Sequence, residues 1–126
     1  MELSGSTALV TGAASGLGAA TALALARRGV EVLALDLTAP SETADPRIHH
    51  VIADVTDEEQ VAAALARVSP DAALRLVVNC AGIAPAVRLL SSTGVHDLPT
   101  FRRTIDVNLV GTFNVLRLAA EAMAAT

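Results

Sequence analysis

The residues best suited to chemistry are backbone-baring ones. Thr11-Gly12-Ala13-Ala14-Ser15-Gly16-Leu17-Gly18 places glycines and a hydroxyl in one short run. Backbone stripped of side chains can approach a phosphate closely. If a helix starts inside the run, its free N–H groups and dipole attract a pyrophosphate. A glycine run by itself also suits an ordinary turn, so its setting between a strand and a helix carries the reading. It is not a Gly-Lys-Ser/Thr phosphate loop, because the chain has no lysine. Two acids could complete a nucleotide site. Asp36 could accept hydrogen bonds from both hydroxyls of an adenosine ribose and repel a 2′-phosphate; the plainer reading is a solvated strand end. Asp54-Val55 could meet an adenine, the carboxylate accepting from its exocyclic amine and the valine packing on the ring. It reads equally well as a loop acid ahead of a helix.

The remaining candidates are less reactive. Asn79-Cys80-Ala81-Gly82 offers a side-chain brace at Asn79 and a small pair under which a ligand could pass. Cys80 is the only cysteine. It reads as a small buried residue or a free thiol, and not as a nucleophile, since no neighbouring base is evident. Asn108 stands inside a helical pattern, where asparagine is mildly unfavourable. His49, His50 and His96 show neither metal-ligand spacing nor an evident partner, so no metal site is read and each is expected to be a surface histidine.

These residues need a scaffold, and the pattern supplies one. Short apolar runs alternate with helical periods, which signals repeated βα units and a parallel sheet. Strands are expected at Thr7 to Val10, Val30 to Leu35, Ile48 to Ala53 and Leu74 to Asn79. The second should be buried on both faces, because it is almost continuously apolar. A first helix is expected from Gly16 to Arg28, with Leu17, Ala20 and Ala24 on one face and Gly29 as its stop. Thr38 to Pro46 reads as a loop. Thr56-Asp57-Glu58-Glu59 reads as a capping box, opening a helix that runs to about Val68 with Val61, Ala64, Leu65 and Val68 inward. Gly82 to Asp97 reads as loop, and two helices from about Pro99 to the end should meet near Asn108. No repeat or linker divides the chain, so residues 1–126 are expected to form one unit.

Composition narrows the classes of partner. The net charge is −4 and 52% of the residues are apolar, which disfavours disorder and argues against nucleic acid or an anionic membrane. Arg27-Arg28 and Arg102-Arg103 read as solvated helix ends or faces. A single cysteine and no signal pattern suggest a reducing compartment, by default the cytoplasm.

Taken together, Thr-Gly-x-x-x-Gly-x-Gly at Thr11 to Gly18, Asn79-Cys80-Ala81-Gly82 and Ile105-Asp106-Val107-Asn108-Leu109-Val110-Gly111-Thr112-Phe113 resemble the short-chain dehydrogenase/reductase family. The resemblance implies an α/β, Rossmann-like doubly wound sheet with strand order 3-2-1-4. It also implies a nicotinamide cofactor held by Gly12, Ser15, Gly16, Leu17, Gly18, Asp36, Asp54, Val55, Asn79, Cys80, Ala81 and Gly82. Because Asp36-Leu37 and Ser15 offer no cation, the cofactor is expected to be NAD and not NADP. Asn108 matches the asparagine of the family's Asn-Ser-Tyr-Lys tetrad, where it interrupts helix geometry and its backbone helps hold a water. The runs Thr11 to Gly18, Asn79 to Ile83 and Asp106 to Leu116 look most like the short-chain type of 3-hydroxyacyl-CoA dehydrogenase, a group that shares the cysteine where the wider family has Asn-Asn-Ala-Gly. That would put Cys80 on the cofactor wall.

The chain contains no tyrosine and no lysine, so the tetrad's proton-transfer pair is missing from these residues. At roughly half the usual family length, the sequence is expected to represent the cofactor-binding N-terminal half, ending before a fifth strand, and to bind without turning over. A homo-oligomer is expected, with further chain or another molecule covering the fourth-strand edge. Competing readings are a non-catalytic nucleotide-binding module, a 3-oxoacyl reductase-type member of the family, and a Rossmann-type methyltransferase, which the motifs disfavour.

Overall fold

A computed structural model describes residues 2–40 and 45–125. Its elements run in the order β1 (Thr7–Thr11), α1 (Gly16–Ala26), β2 (Glu31–Asp36), β3 (Ile48–Ile52), α2 (Glu58–Leu65) and β4 (Leu74–Asn79). After them come β5 (Leu90–Ser91), β6 (Gly94–Val95), α3 (Leu98–Ile105), a π-helical turn over Asp106–Gly111, and α4 (Thr112–Ala124). The four long strands form one parallel sheet in the order β3-β2-β1-β4. This is the strand order the family resemblance implies. Of the expected loop from Thr38 to Pro46, residues 41–44 lie outside the described residues.

Alternation along the two central strands sorts the core into two layers. Ala8 and Val10 of β1 and Val32 and Ala34 of β2 face α1, meeting Ala22, Leu25 and Ala26. Leu9, Leu33 and Leu35 face the other way, toward Val61, Ala64 and Leu65 of α2 and Val115 and Ala119 of α4. Larger side chains thus fill one layer and smaller ones the other, so α1 lies close to the sheet. The register Leu9↔Leu33 and Val10↔Ala34 keeps each layer continuous across the strands. As expected, β2 is buried on both faces along Val32 to Leu35.

Four expectations need correction. Helix α1 does not bury Leu17, Ala20 and Ala24; Leu17 is 82% exposed, and Gly18, Ala22, Leu25 and Ala26 face inward. The helix is apolar almost all round, so periodicity could not choose its face. The choice falls to Gly18, where an added Cβ would collide with the Gly12 carbonyl oxygen. The cap of α2 is also shifted by one residue. Asp57 is the N-cap and accepts from Gln60 N–H, and Gln60 Nε2 donates a second bond to Asp57 Oδ2 at 2.8 Å. Thr56 instead donates its N–H and hydroxyl to Asp54 Oδ1.

The expected loop from Gly82 to Asp97 contains the small antiparallel hairpin β5–β6. Finally, two of the histidines do have partners. His49 Nε2 lies 2.8 Å from Glu31 Oε2 across neighbouring strands, and His96 Nδ1 lies 2.7 Å from the Asp97 carbonyl.

Near Asn108 the expected meeting of two helices is a π-helical turn, which joins α3 to α4 without a break in the chain's course. Inserting one residue into the helical ladder changes which side chains face the sheet on either side of it.

Candidate functional site

The carboxyl ends of β1, β2, β3 and β4 and the N-terminus of α1 surround a cleft of about 420 Å³. A parallel sheet puts all its strand ends on one side, and the reversal of strand order between β1 and β4 opens a crevice there. The glycine loop forms its floor. Gly12 takes a left-handed conformation (φ +65°), and so does Gly16 (φ +53°). A Cβ on Gly12 would meet Ala81 N at 2.7 Å and the Cys80 carbonyl carbon at 2.8 Å, whereas one on Gly16 would meet nothing within 4 Å. Gly12 therefore serves packing of the loop against the β4 end, and Gly16 serves an open surface. Helix α1 starts there with no side-chain cap from Ser15 and no acid in its first turn. Its first N–H groups and positive dipole end face the cleft uncompensated.

Asp36 closes one side. Its Oδ2 accepts from Ala14 N–H at 2.9 Å, and its Oδ1 accepts from Thr38 N–H at 3.2 Å. The carboxylate thereby steadies the glycine loop as well as lining the cleft. Asp54 and Val55 form the next wall. With Asp54 Oδ1 taken up by Thr56, Oδ2 has no protein partner among the described residues. Across the cleft, Cys80, Ala81 and Gly82 follow β4 and line the opposite wall.

Eleven of the predicted cofactor residues thus converge on one cleft, and Asn79 does not. It ends β4 in register with Thr11, half-buried and outside the lining. The strand brace expected of Asn79 is supplied by Thr11, whose hydroxyl accepts from both Cys80 N–H and Ala81 N–H at 3.2 and 3.1 Å. Thr11 stood inside the recognised motif, but only its partner across the sheet reveals its task.

Asn108 also lies outside the lining. Its side chain grips the Ile83 backbone twice, Oδ1 accepting from Ile83 N–H and Nδ2 donating to the Ile83 carbonyl, both at 2.8 Å. Its own carbonyl accepts from the Thr112 hydroxyl. Ile83 does line the cleft, so Asn108 acts on it through the β4 loop.

Other lining residues were not foreseen. Leu37 and Val107 add apolar surface, and Arg103 reaches the cleft from α3, although its pair with Arg102 reads as a solvated face. It is the only cation lining the cleft among the described residues. Nothing in the sequence marks Arg103, because its position depends on how α3 crosses the β3–α2 loop. Asn114 is another. It is only 4% exposed and donates from Nδ2 to the Val55 carbonyl at 2.9 Å. Among the described residues no cluster of His, Cys, Asp and Glu could hold a metal ion, and no helix is long and apolar enough to cross a membrane.

Residues 6–126 match the family model described as short chain dehydrogenase. The chain is 43% identical over 125 residues to 3-hydroxyacyl-CoA dehydrogenase type-2 of Drosophila melanogaster, covering 93% of this chain and 49% of that one. It is 41% identical over 130 residues to the Homo sapiens protein of the same name, covering 97% and 50%. A short chain dehydrogenase from Burkholderia cenocepacia J2315, solved in complex with NADP, superposes with a TM-score of 0.82. It shares 35% identity, over 99% of this chain and 51% of that one. Ligand-free aldohexose dehydrogenase of Thermoplasma acidophilum gives a TM-score of 0.85 at 30% identity, over 98% and 46%. The chain spans about half the length of the curated relatives it matches.

Proposed function

The chain belongs to the short chain dehydrogenase family, and on that premise we propose that it holds NAD along the cleft for dehydrogenation of a secondary alcohol. The substrate class we assign is a 3-hydroxyacyl-CoA, after the relatives of that name. The observation that carries the reading is the uncapped N-terminus of α1, opening into the cleft beside an open Gly16 and opposite Asp36.

The residues present fit such a cofactor. A pyrophosphate would rest against the first N–H groups of α1 and the Ser15 hydroxyl, where the helix dipole favours negative charge. Asp36 would accept from the adenosine ribose and disfavour a 2′-phosphate, which supports NAD over NADP. The Burkholderia neighbour's complex holds NADP, so cofactor choice rests on Asp36 and not on the family. The adenine would lie between Val55, Leu37 and Val107, with Asp54 Oδ2 accepting from its amine. Ala81 and Gly82 would pass under the nicotinamide ribose, with Cys80 beside them. Bound there, NAD supplies the hydride acceptor.

With no tyrosine or lysine among them, these residues bind and orient but do not move the proton. Asn108 holds the Ile83 wall and offers no acid or base. In the complete enzyme we place the chain in a homo-oligomer, with further protein against the β4 edge. We assign it to the cytoplasm, although one relative is named borneol dehydrogenase, mitochondrial.

Calorimetric titration with NAD and, separately, with S-adenosylmethionine tests the proposal. Binding of NAD alone is the expected result. Binding of S-adenosylmethionine alone would replace the dehydrogenase reading with a methyltransferase one.

A further inference from the structure

The wall of the cleft at Asp54-Val55 is held from behind by α4, and the grip is specific. Val55 is buried, and its carbonyl takes a 2.9 Å hydrogen bond from Asn114 Nδ2. Asn114 Oδ1 in turn accepts from Arg117 Nη2 at 2.9 Å. Arg117 also pairs with Glu58, in the first turn of α2, at 2.9 Å. The valine side chain is confined from the same direction: a Cβ on Gly111 would sit 2.6 Å from Val55 Cγ2. On its other flank the loop is tied by Gln60 Oε1, which accepts from Asp54 N–H at 2.9 Å. Two contacts from the α4 side therefore bear on Val55, whose neighbour Asp54 has its carboxylate tied at Oδ1 by Thr56.

We infer that Asn114, acting with Gly111, is a positioning residue that gives the cleft its selectivity for adenine over a 6-oxopurine. The inference rests on the NAD-binding reading above. An adenine offers a donor amine to Asp54 Oδ2, whereas hypoxanthine offers a carbonyl oxygen that the carboxylate repels. That distinction survives only while Asp54 is held at hydrogen-bonding range, because a carboxylate displaced toward solvent meets either base through water. Asn114 is the group that converts the packing of α4 into that range. A buried carbonyl left without its donor moves toward another partner, and Val55 would carry Asp54 with it.

The test compares dissociation constants for NAD and for nicotinamide hypoxanthine dinucleotide in the full chain and two variants. Asn114→Asp keeps the acceptor for Arg117 and replaces the donor to Val55 with a carboxylate oxygen that repels its carbonyl. Gly111→Ala raises helix propensity while pushing on Val55 Cγ2, so it remains informative if Asn114→Asp does not fold. The full chain should prefer NAD. In each folded variant NAD binding should weaken about tenfold, as for loss of one buried hydrogen bond, and the ratio of the two constants should fall toward one. A general loss of stability would weaken both ligands alike and leave the ratio unchanged; an unchanged ratio in a folded variant overturns the inference alone. A full chain that binds neither dinucleotide overturns the NAD reading and this inference with it.

Discussion

Asp36 shows how one side chain can serve two ends. In the proposed NAD site it accepts from the ribose, and in the structure it takes the Ala14 N–H of the glycine loop. Asp36→Ala should therefore weaken both nicotinamide cofactors by loosening the loop, and weaken NAD more than NADP. The ratio of the two affinities is the measurement that matters, and an unchanged preference for NAD would remove Asp36 as the selector. Thr11 and Gly12 make a second point at this scale. Thr11→Val leaves two N–H groups at the β4 end without their acceptor, a loss of about 1–3 kcal/mol. Gly12→Ala combines a left-handed φ with a backbone collision at Ala81 and should cost at least about 1–3 kcal/mol from strain alone. Denaturant midpoints measure both, and a Gly12→Ala protein as stable as the parent would contradict the described approach of β1 to β4.

Among the elements, the helix starts are where charge matters. Asp57 caps α2 and Asp97 caps α3, each accepting from a backbone N–H three residues on. The bond from the Gln60 backbone holds the Asp57 carboxyl below its usual value, and the Thr100 backbone does the same for Asp97. A group whose folded pKa is depressed lends stability above its unfolded pKa, and that stability disappears as pH falls through the folded one. Acidification from about pH 4 downward should therefore loosen the starts of α2 and α3. Asp57→Asn, which keeps a capping acceptor but not the charge, should flatten that dependence. Amide exchange at Gln60 and Thr100 between pH 5 and about pH 3 reports it, and equal pH dependence in the variant would show that the cap's charge plays no part.

For the whole molecule, the parallel sheet ends in β4, which pairs only with β1 among the described residues. Leu76, Val77 and Val78 of β4 are half-buried, and Leu109, Phe113 and Leu116 of the last helical segments are exposed. An unpaired parallel edge beside apolar helix surface favours association. Light scattering over a concentration series should show species larger than a monomer. A monodisperse monomer throughout would mean that the edge needs no cover.

How much of this was legible depended on whether the signal was local. The βα alternation, the glycine run and the acids at strand ends are written in neighbouring residues, so the parallel sheet and most of the cleft lining could be read directly. The face of α1 could not, because a helix apolar all round has no preferred side until Gly18 must pass the Gly12 carbonyl. The one-residue shift of the α2 cap was hidden for a related reason: Thr56 and Asp57 can both cap, and Asp54 decided by claiming the Thr56 hydroxyl. Thr11, Arg103 and Asn114 were beyond reach, since each acts on a segment distant in sequence. By itself the sequence determined the order of the elements and the chemistry gathered at the carboxyl ends of the strands. Tertiary structure alone decided which buried polar groups hold those walls in place, because a hydrogen bond such as Asn114 to Val55 exists only once two distant elements have packed.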